Sequence, residues 1–240
     1  MPKKPMLTYK AIGWLLTYPQ ADLIAALPEL QQVIAGEGLL SVSTENNLLR
    51  FTAALGTGDL IDLQEAYVGL FDKSRQASLH LFEHVHGESR DRGMAMVNLR
   101  EIYAAAGLFQ DEGELPDYLP MYLEYLSILP DKEAKAGLVD VAPILQGIHR
   151  QLARRESAYA APLAALLELA AVKPLAVEAE ETEARDDTPE AIDRAWEEQA
   201  VAFGPENDPT RGDDCGRASA MVARMNAQSA TPSRTEARHD

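Results

Sequence analysis

The sequence predicts an all-α protein, a single helical bundle followed by an acidic tail that we expect to be mostly disordered. Of the 240 residues, 37 are Ala and 31 are Leu, whereas Val, Ile and Thr together number 30. Ala and Leu favour helices, and β-branched residues favour strands. Apolar residues recur at helical spacing, without strand alternation or a fixed-period repeat. These observations exclude a β-sandwich or barrel.

Four helices are predicted in the first third of the chain from apolar stripes and from capping residues. They comprise a first helix carrying Tyr9, Ile12, Leu15 and Leu16, a second from Ala21 to Ala35 restarted at Pro28, a third from Thr44 to Gly56, and a fourth capped by Asp59 with Leu60, Leu63, Tyr67 and Leu70 or Phe71 buried. Proline is expected to interrupt a helix because it lacks the backbone donor.

Helices are also predicted along the rest of the bundle. They comprise the stretch SLHLFEHVH (78–86), a helix ending at Gly107, one after Pro116 with Asp117 as its cap, and a long segment from Asp131 to about Ala171 with restarts at Pro143 and Pro162. Glycine is favoured just past a helix end because it adopts a positive φ without strain.

Charge divides the chain into a bundle and a tail. Residues 1–174 carry 15 basic and 22 acidic side chains, whereas residues 175–215 carry 3 basic and 14 acidic ones. Like charges at this density oppose compaction. We therefore expect a helical domain over 1–174 and an acidic tail over 175–240, with one short helix at 188–203.

Composition excludes several classes of function. The net charge of −16 disfavours nucleic acid and anionic membrane surfaces, which need a basic face. The lone Cys215 permits no disulfide framework, and no apolar run is long enough to span a bilayer. No phosphate-binding loop or nucleophile elbow is present, so no bound cofactor is predicted. A cytoplasmic protein without direct membrane insertion is the simplest interpretation.

The stretch His80-Leu81-Phe82-Glu83-His84 has the H-x-x-E-H spacing of inverted zinc proteases. On a helix, His80 and His84 would share a face, and Glu83 could activate water. A zinc-dependent hydrolase is thus one alternative, although no further motif announces a third ligand. A polar recognition surface and an ordinary helix rim are the others.

Two further stretches are dense in polar or aromatic groups. His86, Glu88 and their neighbours extend the first motif, so that three His, two Glu, one Asp and two Arg fall between residues 80 and 92. Between residues 118 and 125 stand three of the eight tyrosines, Tyr118, Tyr122 and Tyr125. Tyrosine combines apolar area with a hydroxyl, which suits an interface. The simpler interpretation is core packing for two of the three.

The segment YVGLFDKSRQASLHLFEHVHGESRDRGMAMVNL, followed by ELPDYLPMYLEYLSIL, resembles the NarJ family, the delta subunits of respiratory nitrate reductase. The wider group comprises the TorD- and DmsD-like chaperones of molybdo-enzyme maturation. The resemblance spans most of residues 5–172. In many relatives of the wider group a Pro-Asp-His loop stands where this chain has Pro116-Asp117-Tyr118.

The resemblance implies a non-enzymatic, system-specific chaperone with an all-α fold. It would bind the apo catalytic (alpha) subunit of nitrate reductase through an N-terminal segment of that subunit, and would enable molybdenum cofactor insertion and assembly without remaining in the final enzyme. The predicted peptide-binding residues are Tyr67, His80, Glu83, His84, His86, Glu88, Asp117, Tyr118 and Tyr122. An acidic domain with an apolar groove should attract a basic amphipathic segment, so we expect basic partner residues to meet Glu83, Glu88 and Asp117. Protonation of His84 or His86 would then weaken the attraction.

Two other roles stay open at this point. A structural subunit of the membrane enzyme would remain in the purified reductase. A chaperone that holds the cofactor directly would need basic residues for an anionic ligand, and Arg90, Arg92 and Arg100 are the nearby candidates.

Overall fold

The computed structural model describes residues 6–85, 90–109 and 113–175, and within these ranges the chain is a bundle of helices. Its α-helices are α1 (Leu7–Leu15), α2 (Ala21–Glu37), α3 (Val42–Thr57), α4 (Leu60–Tyr67), α5 (Arg90–Ala105), α6 (Leu119–Ile128), α7 (Asp131–Arg154) and α8 (Ala160–Leu169). Between α4 and α5 lie a π-helical turn, Val68–Asp72, and two 3₁₀ turns, Arg75–Ala77 and Leu81–His84. The all-α prediction is confirmed. None of the helices described here is both long and apolar enough to cross a bilayer.

Helix α1 lies at the centre of the packing, against α6 and α2. Its apolar stripe, predicted from Ile12, Leu15 and Leu16, is fully buried. The carboxylate of Glu37, at the end of α2, accepts the amides of Leu7 and Thr8 at 2.9 and 2.8 Å. These amides are among the four that a helix start leaves without an intrahelical acceptor. The sequence-distant α2 therefore fixes where α1 begins.

A second long-range cap holds α3 against α8. Ser41 is the N-cap of α3, and Glu168 of α8 accepts the Ser41 amide at 2.5 Å and the Ser41 hydroxyl at 3.0 Å. The Thr44 hydroxyl also donates to Glu168. Burial acts to raise the pKa of Glu168, but these hydrogen bonds outweigh it and leave the pKa lowered.

Two glycines allow α6 to sit close to its neighbours. A Cβ at Gly13 would lie 3.2 Å from the carbonyl oxygen of Pro120, and one at Gly137 would lie 2.9 Å from the Tyr122 hydroxyl. Tyr122 uses this close approach to donate to the Gly137 carbonyl at 2.9 Å. Helix α6 is thus held between α1 and α7.

Several predicted boundaries are wrong for a common reason. Helices α2 and α7 continue through Pro28 and Pro143 without a restart. Both prolines are exposed, and each has buried apolar residues close by in its helix, Leu27 and Leu30 near Pro28 and Ala142 and Leu145 near Pro143. Tertiary packing on either side therefore compensates for one missing backbone hydrogen bond.

Other boundaries agree with the sequence. Asp59 caps α4 by accepting the amides of Ile61 and Asp62, as predicted, and Gly107 follows α5 with a φ of 80°. Of the predicted α4 stripe, Tyr67 and Phe71 are buried, whereas Leu60, Leu63 and Leu70 are half-buried. The predicted tail helix at 188–203 lies outside the described residues, and the domain boundary at residue 174 stays a prediction.

Candidate functional site

The two motifs from the sequence meet through a short antiparallel bridge between His80 and Tyr118. The Leu81 amide donates to the Asp117 carbonyl at 3.0 Å, and the Leu119 amide donates to the Leu79 carbonyl at 2.9 Å. The predicted helix over 78–86 is therefore wrong, since this backbone is extended at His80 and forms one 3₁₀ turn afterwards. A contact between residues nearly forty positions apart replaces the local helix.

Asp117 lies fully buried at this junction. Its carboxylate accepts the Phe82 amide at 3.0 Å and stands 3.4 Å from His80 Nδ1 and 4.0 Å from an Arg92 guanidinium nitrogen. It does not cap α6, whose N-cap is Tyr118 without a side-chain bond. The predicted capping role is therefore wrong, and Asp117 instead bridges three segments of the chain.

The imidazoles and Glu83 face separate partners. His80 contacts Asp117, whereas His84 Nε2 lies 2.8 Å from the Ser78 carbonyl oxygen. The hydrogen bond to Asp117 raises the pKa of His80 against the opposing effect of burial, and the charges of Asp117, Glu83 and Glu114 add to the rise. Glu83 is 3.4 Å from Arg92.

No group of three or more His, Cys, Asp or Glu side chains is arranged to hold a metal in the part of the chain that the structure describes. His80 and His84 do not share a helical face, because only one 3₁₀ turn separates them. Nothing in this arrangement favours the hydrolase alternative.

Tyr118 connects the bridge to the aromatic core. Its hydroxyl lies 3.0 Å from that of Tyr67, and the Tyr67 hydroxyl donates to the Leu16 carbonyl at 3.0 Å. Because Tyr67 has one proton to give, Tyr118 is the donor in their shared bond. The ring of Tyr118 also stacks obliquely on His80, with centroids 5.4 Å apart. Burial raises the pKa of Tyr118 to about 12, so both hydroxyls stay protonated at neutral pH.

Beside Tyr118 lies an open groove of about 500 Å³. Its walls come from α1 and the turn after it, from the start of α2, from Phe109 and Glu114 between α5 and α6, and from the first half of α6. Three aromatic side chains on the groove are exposed to solvent, namely Trp14 (43%), Tyr18 (39%) and Phe109 (83%). The groove also contains three carboxylates, from Asp22, Glu114 and Glu124, and one ammonium, from Lys10. Lys10 pairs with Glu124 at 2.6 Å.

The predicted site residues thus fall into three groups. His80, Glu83, His84, Asp117 and Tyr118 gather around the bridge, and only Tyr118 also lines the groove. Tyr67 supports Tyr118 from the core, but Tyr122 is fully buried and bonded to α7. His86 and Glu88 lie outside the described residues.

Sequence reasoning missed most of the groove. Trp14, Tyr18 and Phe109 are large aromatics exposed close together, which is unusual for a surface without a partner. One signal was available, since Trp14 falls off the buried stripe of α1. The carboxylates of Asp22, Glu114 and Glu124 carried no such signal, because only the fold brings them together.

Fold and site together define an all-helical protein with an open aromatic groove edged by carboxylates. The model of the family described as "Nitrate reductase delta subunit" matches residues 20–165. The chain belongs to this family, as the sequence resemblance predicted.

Curated relatives are similar in sequence to most of this chain. The nitrate reductase molybdenum cofactor assembly chaperone NarJ of Escherichia coli K12 is 45% identical over 204 residues, which cover 82% of this chain and 85% of that protein. The probable chaperone NarW of the same strain is 43% identical, covering 82% and 84%. The probable NarJ of Bacillus subtilis 168 is 29% identical over 67% of this chain and 86% of its own length.

Proposed function

We propose that this protein is a cytoplasmic assembly chaperone for nitrate reductase, which enables molybdenum cofactor insertion into the apo catalytic subunit. The observation that carries the proposal is the 45% identity, over 82% of this chain, with a protein named for that role. The protein performs no chemistry of its own, and the molybdenum cofactor is cargo for the enzyme being assembled.

The groove beside Tyr118 is the surface that binds the N-terminal segment of the catalytic subunit. An amphipathic helix places apolar side chains three and four residues apart, and a groove with exposed aromatic rings accepts such a face. Burying Trp14 and Phe109 under the segment supplies most of the affinity, since aromatic anchors dominate such interfaces.

Charge sets the orientation of the bound segment. Three carboxylates and one lysine line the groove, so a basic segment is attracted and an acidic one repelled. This differs from the sequence expectation, in which Glu83, Glu88 and Asp117 meet the basic residues; of these, Glu88 lies outside the described residues. Asp117 is buried and accepts the Phe82 amide, and neither Asp117 nor Glu83 lines the groove. We therefore assign the electrostatic role to the carboxylates that do line it, namely Asp22, Glu114, and Glu124 in its pair with Lys10.

Isothermal titration of the full chain with a synthetic peptide of the catalytic subunit's N-terminal segment tests the groove. Trp14→Ala should weaken binding by about 30-fold or more, as for a truncated aromatic anchor. The matched control is Ile61→Ala, another exposed apolar residue that lies off the groove. Equal affinities of the two variants would refute this location.

The charge assignment has its own pair of variants. Asp22→Asn combined with Glu114→Gln should weaken binding a few-fold, by about 1 kcal/mol, and the loss should shrink in high salt. Glu29→Gln combined with Glu65→Gln removes the same charge from exposed positions off the groove. A loss of similar size in this control would mean that net charge acts, and not the groove.

A pull-down from cells respiring nitrate tests the chaperone role. We expect the immature catalytic subunit to accompany the protein, and the finished, cofactor-loaded enzyme to lack it. Stoichiometric presence in the purified reductase would instead favour a structural subunit.

A further inference from the structure

The chain contains a segment of its own with the chemistry that the groove selects. Residues 216–230 include Arg217 and Arg224 and no acidic residue. Within them Ala218, Met221, Val222 and Met225 recur at the i, i+3, i+4 and i+7 spacing of one helical face. This segment lies outside the described residues, and its pattern is that of a basic amphipathic ligand.

The rest of the tail is unsuited to the groove. Residues 175–215 carry 14 acidic and 3 basic side chains, so the three groove carboxylates repel this block. The basic segment is therefore the part of the tail that the groove attracts, and the acidic block acts as its tether.

The tether is long enough to reach. The last described residue is Leu175, and 40 residues separate it from Gly216. The predicted helix at 188–203 would contribute about 24 Å to this length. The other 24 residues, taken as a random coil, would contribute about 27 Å, so the combined mean span is roughly 35 Å. A domain of this size is roughly 40 Å across, so every face of it is within reach of the segment.

We propose that residues 216–230 occupy the groove beside Tyr118 of their own molecule and compete there with the partner segment. The proposal rests on the proposed function, because it assumes that the groove is where the partner binds. At an effective concentration of about 1 mM, a segment with an intrinsic dissociation constant of about 0.1–0.5 mM would weaken partner binding by roughly three- to tenfold. The tail would thus exclude ligands that bind the groove weakly, whereas the partner segment, which binds more tightly, would displace it.

Fluorescence energy transfer in the full chain tests the contact directly. Cys215 is the only cysteine and adjoins the segment, and the chain has two tryptophans, Trp14 in the groove and Trp196 in the tail. The Trp196→Phe variant, labelled with an acceptor on Cys215, should show efficient transfer from Trp14 that does not depend on protein concentration. Transfer that grows with concentration would overturn the proposal in favour of a second copy as the occupant.

Charge-reversed variants show whether the segment causes the transfer. Arg217→Glu with Arg224→Glu should abolish it, and so should Met221→Asp with Met225→Asp. The matched control, Arg234→Glu with Arg238→Glu, makes the same change in net charge outside residues 216–230 and should leave transfer high. Equal loss in the control would overturn the proposal.

Titration with the catalytic-subunit peptide separates the two proposals. The Arg217→Glu/Arg224→Glu variant should bind the peptide three- to tenfold more tightly than the unaltered chain. If both bind it equally and transfer is absent, the tail proposal fails and the proposed function stands. If neither binds the peptide, the proposed groove function fails, whatever the transfer shows.

Discussion

Replacing the buried Asp117 should destabilise the bundle more than replacing any exposed carboxylate. In Asp117→Ala the buried Phe82 amide loses its acceptor, and His80 and Arg92 lose the charge they face. An orphaned buried donor costs about 1–3 kcal/mol, and breaking a fully buried ion pair costs about 3–5 kcal/mol. His80 and Arg92 are partly exposed, which places the sum at about 2–4 kcal/mol.

The Asn variant isolates the charge in this sum. An amide oxygen at position 117 can still accept the Phe82 amide, so Asp117→Asn should lose only about 1–2 kcal/mol. Glu83→Gln removes a partly exposed carboxylate from the same cluster and should cost under about 1 kcal/mol.

Urea unfolding of the three variants, followed by circular dichroism, measures these differences. A loss below about 1 kcal/mol in Asp117→Ala would refute the idea that this carboxylate holds the two motifs together. Equal losses in Ala and Asn would show that the Phe82 hydrogen bond is not what matters.

Three further predictions concern other parts of the bundle. Because the folded pKa of His80 is raised, its contribution to stability is full below its ordinary pKa of 6.5 and is lost as pH rises through the folded value. The urea midpoints of wild type and His80→Gln should therefore differ most below about pH 6.5 and approach each other as pH rises through the folded pKa. The lowered pKa of Glu168 works in the opposite sense, with stability present above its ordinary pKa and lost as pH falls through the folded one. Glu168→Gln should thus cost about 0.5–2 kcal/mol at neutral pH, as for a lost helix cap, and less in acid, as measured by denaturant titration. Gly137→Ala places a methyl group against the Tyr122 hydroxyl and should cost about 1–3 kcal/mol, whereas Gly147→Ala in the same helix meets nothing and should be neutral or mildly stabilising in thermal unfolding.

The helices could be predicted because their signals are local. The apolar stripe of α1, the Asp59 cap and the Gly107 stop each depend on residues within a few positions of one another. The helix predicted at 78–86 was wrong because His80 forms a backbone bridge with Tyr118, which is distant in the sequence. Local pattern cannot reveal such a pairing.

The site was predictable only as two motifs. The two motifs identified the region around His80 and Asp117. The Asp117 carboxylate, however, is buried and accepts the Phe82 amide, so it does not face a ligand. The groove beside it depends on how α1, α2 and α6 converge, with Gly13 lying against Pro120. No spacing rule links Trp14 to Glu114 along the chain.

Two backbone amides at the His80–Tyr118 bridge can report on the stability of the site through their hydrogen exchange. The Leu81 and Leu119 amides are held across it, one from each motif. Their exchange with deuterated solvent should therefore slow or quicken together, since one opening motion frees both. A ligand that stabilises the groove wall containing Tyr118 would therefore slow the exchange of these two amides even without contacting them.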